Sequence, residues 1–117
     1  MATMPVAEAW PVMVTLPAEI DITNAGNIRE QIAAAALKPG VTIVVADMTG
    51  TIFCDSTGVR ELMVARERAA RNGAELRLLQ PGPAVMRTLE LLGADKILPI
   101  YDGPCRSHSY GPVASRE

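Results

Sequence analysis

Val41-Thr42-Ile43-Val44-Val45-Ala46 constrains the fold of this chain more than any other stretch. Six uncharged residues rich in β-branched side chains read as a strand buried on both faces, and such strands sit mostly inside parallel sheets covered by helices. The flanking pattern agrees. Val12 to Leu16 reads as a strand, and Glu19-Ile20-Asp21 as a loop or strand end. A helix capped by Asn24 or a neighbour runs to about Leu37, with Ile28, Ile32 and Ala35 or Ala36 on its inner face and Lys38-Pro39-Gly40 as its stop. A second helix follows Ser56 and runs to about Asn72, with Val59, Leu62, Met63, Ala69 and Ala70 as its apolar positions and Gly73 behind it. Glu75 to Gln80 reads as a strand. Pro83 opens a third helix, with Val85, Met86, Leu89 and Leu92, which ends at Gly93. Ile97 to Ile100 reads as a short edge strand because Pro99 has no N–H to donate.

Strands that alternate with helices in this way favour an α/β fold: one domain with a mainly parallel central sheet of four to five strands and helices packed on it. The expected domain spans residues 1–102. Met1 to Pro11 reads as a loose arm, and the Gly-, Pro- and Ser-rich residues 103–117 as a flexible tail.

Composition removes several function classes. The 117 residues carry a formal net charge of −2 with no lysine-rich block, which argues against direct nucleic-acid binding. No apolar run approaches the roughly 20 residues that span a bilayer, and no signal-like start is visible, so a cytoplasmic location without membrane contact is the expectation. Cys54 reads as a small buried hydrophobe, Cys105 lies in the polar tail, and a disulfide between them has nothing in its favour. The single histidine, His108, argues against a Ser-His-Asp hydrolase, and no metal-ligand cluster or glycine-rich phosphate loop is present. No cofactor is expected.

Asp55-Ser56-Thr57-Gly58 stands where the central strand gives way to the second helix. A hydroxyl there is ordinarily a helix cap. Two adjacent hydroxyls, a carboxylate before them and a glycine after them also describe a modifiable or ligand-facing site, since free N–H groups and the helix dipole tolerate an anion. Loops at the C-terminal ends of parallel strands are where such sheets bind partners, and Glu19-Ile20-Asp21 lies at another such end. Arg60, Glu61, Glu67, Arg68 and Arg71 read first as a solvated helix face and second as a partner surface, with Glu67 and Arg71 spaced for an exposed ion pair.

Taken in this order, the motifs resemble the STAS domain family, and within it the bacterial anti-sigma factor antagonists. The resemblance runs from about Val12 to Asp102 and centres on Asp47, then Phe53-x-Asp55-Ser56-Thr57-Gly58-Val59 and an apolar helix. Glu19-Ile20-Asp21, Ala74-Glu75-Leu76-Arg77-Leu78, Pro83-x-Val85 and Leu89-x-x-Leu92-Gly93 support it. The resemblance implies a non-enzymatic switch. Ser56 would be the residue phosphorylated by an anti-sigma factor serine kinase; the unphosphorylated form would bind that kinase, and a phosphoserine phosphatase would reset it. Asp55 would position the hydroxyl or the kinase, Thr57 and Gly58 would shape the site, and Glu19 and Asp21 would line the docking surface. Ala18 and Arg60 depart from the family pattern, the latter with consequences for partner choice. The alternative is a non-switching STAS adaptor or scaffold in a signalling or lipid-transport assembly.

Overall fold

The computed structural model describes residues 10–101. Their order is β1 (Trp10–Thr15), β2 (Glu19–Ile20), α1 (Ala25–Ala36), β3 (Val41–Asp47), β4 (Phe53–Cys54), α2 (Ser56–Arg71), β5 (Glu75–Leu79), α3 (Pro83–Leu91), a 3-10 turn (Ala94–Lys96) and β6 (Ile100–Tyr101). Four strands form one sheet in the order β1-β3-β5-β6, and every pairing in it is parallel. The expected fold class is the one observed.

The three crossovers step across the sheet in one direction. With the usual right-handed connection this stacks all the helices on one face. Burial agrees: Val44, Ala46, Leu76 and Leu78 join Ile28, Ile32, Leu62, Val85 and Leu89 in a single cluster. Val45 and Leu79 alternate with these residues. They are buried but stand outside that cluster, on the sheet's other face. Val41 to Ala46 is therefore the central strand that its composition describes.

Several boundaries differ from the sequence reading. The first strand begins at Trp10, so Pro11 is part of it rather than of a loose arm; among the described residues β1 stands at the sheet edge, where a missing N–H is tolerated, and the register shifts between Trp10 and Pro11. The last strand begins at Ile100, not Ile97. Residues 94–96 make a 3-10 turn, Leu98 turns into the core, and the Pro99 carbonyl accepts from Leu78 N. In α2 the inner positions include Ala65, while Ala70 faces outward; in α3 the helix stops at Leu91 and Leu92 is exposed. Gly73 and Gly93 follow their helices at φ 81° and 74°, a left-handed turn that only glycine makes without strain.

Part of the charged α2 face pairs with α1. Arg29 of α1 donates to Glu61 of α2 at 2.7 Å, and Arg68 of α2 reaches Glu30 of α1 at 3.0 Å. These residues clamp the two helices together. The anticipated Glu67–Arg71 pair lies at 4.0 Å in the open. Among the described residues no helix is long and apolar enough to cross a membrane. Residues 1–9, Cys105, His108 and the expected tail fall outside the described residues.

Candidate functional site

A two-residue ladder builds the site. β2 pairs with β4 in parallel, with Glu19 opposite Phe53 and Ile20 opposite Cys54. The Ala18 carbonyl accepts from Ile52 N and Phe53 N, and the Ile20 carbonyl accepts from Asp55 N at 3.1 Å. These bonds bring Glu19-Ile20-Asp21 beside Asp55-Ser56-Thr57, two segments that the sequence reading placed at separate strand ends. Buried Thr51 fastens the far side, its hydroxyl donating to the Pro17 carbonyl at 2.8 Å.

The Glu19-Ile20-Asp21 segment is braced from behind. Asn24 does not cap α1 with its side chain. Its Nδ2 donates to the Glu19 carbonyl at 2.8 Å, and its Oδ1 accepts from Asp21 N at 2.9 Å. The Asp21 carboxylate accepts from the Thr23 hydroxyl at 2.6 Å and from Thr23 N at 2.9 Å, and these bonds hold its pKa below the ordinary value. Glu19 is exposed and Asp21 half-buried.

The start of α2 separates roles that the sequence left merged. Asp55 is the N-cap: its extended backbone (φ −88°, ψ −177°) lets Oδ1 accept from Gly58 N at 2.8 Å. Ser56 is the first helical residue. It is exposed, and among the described residues its hydroxyl bonds to nothing. Thr57 is half-buried, and Arg60 is exposed one turn further on.

Gly58 is a packing requirement. A β-carbon on it would stand 2.6 Å from Cys54 Sγ and 2.7 Å from Ile20 Cγ2. What comes close is the side chains of the β2–β4 ladder, seated directly under the first turn of α2. Cys54 is itself buried, and burial, aided by the Asp55 charge, pushes its thiol up to about 12, which favours the neutral form over the reactive thiolate.

Sequence reasoning selected the polar members of this surface and missed the apolar ones. Ile22, Ile52 and Phe53 are 74%, 66% and 48% exposed, on the segments that carry Asp21 and Asp55. The available signal was isoleucine standing inside two turns, at Asp21-Ile22-Thr23 and Thr51-Ile52-Phe53.

Known proteins share this fold. The STAS domain model matches residues 3–104, and the chain belongs to the STAS domain family. It is 28% identical over 90 residues to the anti-sigma F factor antagonist of Paenibacillus polymyxa, covering 77% of each chain. An anti-sigma factor antagonist from Mycobacterium paratuberculosis superposes with a TM-score of 0.68 at 27% identity, over 88% of this chain and 85% of that one. The antagonist SpoIIAA aligns at 20% identity in two forms: unphosphorylated, with a TM-score of 0.71 over 90% and 91% of the two chains, and the phosphorylated Bacillus protein, with a TM-score of 0.64 over 88% and 91%.

Proposed function

We propose that this protein is an anti-sigma factor antagonist switched at Ser56. Unphosphorylated, it docks on an anti-sigma factor serine kinase through the surface around Ser56 and so frees a sigma factor. Phosphorylation releases it, and a phosphatase restores it. The observation that carries the reading is the division of labour at the start of α2: Asp55 makes the cap, which leaves the Ser56 hydroxyl exposed and uncommitted. Membership of the STAS family supports it, as do relatives named anti-sigma factor antagonists and a structural neighbour solved in a phosphorylated form.

The protein is the substrate in this reading. Ser56 Oγ attacks the γ-phosphorus of ATP held by the kinase, ADP leaves, and the hydroxyl proton passes to the kinase. The product carries about 1.5 to 2 added negative charges at neutral pH. The first turn of a helix accepts that charge, so the fold survives, whereas an interface made with Ile22, Ile52 and Phe53 around Ser56 would have to desolvate it.

The test is incubation with the cognate kinase and ATP, followed by site mapping. One phosphate on Ser56 and none on Ser56→Ala is expected. Label confined to Thr57, or a normally labelled Ser56→Ala protein, would overturn the assignment.

A further inference from the structure

Arg60 is the exposed cation nearest in register to Ser56, and among the described residues it pairs with no carboxylate. Arg29, Arg68, Arg71 and Arg77 each reach a carboxylate, while among the described residues Arg60, like Lys38, Arg66, Arg87 and Lys96, reaches none. The cause lies in the helix. Side chains three and four residues apart are neighbours on an α-helix, with Cβ atoms about 5–6 Å apart. For Arg60 those positions are Thr57, Ser56, Met63 and Val64, none of them acidic. Glu61 is adjacent in sequence but turns to Arg29 at 2.7 Å. The nearby carboxylates are held elsewhere or stand in solvent: Asp55 Oδ1 accepts from Gly58 N, Asp21 accepts from Thr23, and Glu19 is exposed.

We infer that Arg60 is the internal phosphate clamp of this switch: a phosphate on Ser56 pairs with the Arg60 guanidinium across one turn of α2. The inference rests on the Ser56 reading above and adds its regulation. The geometry has the favourable polarity, with the anion one turn N-terminal to the cation. A guanidinium also presents the fork of donors that matches phosphate oxygens. Serine phosphorylation therefore converts Arg60 from a free surface cation into half of an ion pair. A partner that touched Arg60 loses that contact in the same event that places the phosphate in its way.

The experiment uses the full chain with phosphoserine installed at position 56 during translation, so no kinase is needed. The phosphate is titrated by phosphorus NMR in the parent, Arg60→Ala and Arg60→Lys proteins. Pairing favours the dianion, so the apparent second pKa should lie roughly 0.15–0.4 units lower in the parent than in Arg60→Ala, a shift set by the strength of a helical ion pair. Arg60→Lys should keep part of the shift, and molar salt should shrink it. Superimposable titrations of the parent and Arg60→Ala would sink the clamp. Melting of the unphosphorylated proteins supplies the structural control; Arg60 is exposed, so their midpoints should agree. Because the phosphate is placed without a kinase, a failed clamp leaves the kinase-labelling result standing, and a protein that no kinase labels leaves the titration readable.

Discussion

Asp55 and Ser56 are adjacent, yet substitution should separate them cleanly. Ser56→Ala should change unfolding free energy by no more than a few tenths of a kcal/mol, because its hydroxyl caps nothing. Asp55→Ala should cost about 1 kcal/mol, since it leaves Gly58 N without its side-chain acceptor. Urea unfolding of the two variants measures both, and equal losses would mean that the cap is shared. Gly58→Ala should cost about 1–3 kcal/mol, because both obstructing side chains, Cys54 and Ile20, are fully packed. The sequence showed that something at Asp55-Ser56-Thr57 caps α2. It did not show which residue, since all three types cap well and the choice depends on a backbone turn that the β2–β4 ladder imposes.

The long elements were legible and the two-residue ones were not. Periodicity located three helices and the strands β3 and β5 to within a residue or two, because 5 to 16 residues sample a period. β2 and β4, two residues each, sample none; they exist through pairing with one another, which is a tertiary event. The α1 partners of the α2 charges were missed for the same reason, since the acid and base that meet lie 32 and 38 residues apart. This clamp sets a pH dependence. Hydrogen bonds from Arg29 and then Arg68 hold the Glu30 carboxyl below its ordinary value, as Thr23 does for Asp21. A carboxylate with a lowered folded pKa stabilises fully above its unfolded pKa, and the contribution is lost as pH falls through the folded value. Urea midpoints should therefore fall as pH drops from about 5 towards 2, and Glu30→Gln should flatten part of that fall. Beneath the clamp, Leu62 is 1% exposed, and Leu62→Ala should cost about 2–5 kcal/mol. A loss under half a kcal/mol would put the wrong face of α2 inside.

At the scale of the molecule, the sheet and its helices form the base, and the proposed docking surface is built on it from two short segments that the β2–β4 ladder holds together. Under the proposed function, binding energy and switching would reside in different residues. Ile22, Ile52 and Phe53 are exposed and would offer apolar area to a partner, while phosphorylated Ser56 would supply the charge that denies it. Phe53→Ser should weaken kinase binding with little loss of stability, because its ring is about half exposed already. Ser56→Ala should bind as the parent does and stay bound in the presence of ATP. Ser56→Asp should remain folded, since an anion in the first turn of a helix is stabilising, and should bind much more weakly because that charge must be desolvated beside Asp55. Calorimetric titration of the proteins against the kinase, with circular dichroism to establish folding, reads these outcomes together. A permanent adaptor predicts the opposite pattern: Phe53 matters and the charge at position 56 does not. Equal affinity for the parent and a well-folded Ser56→Asp would therefore transfer the surface to an adaptor that never lets go.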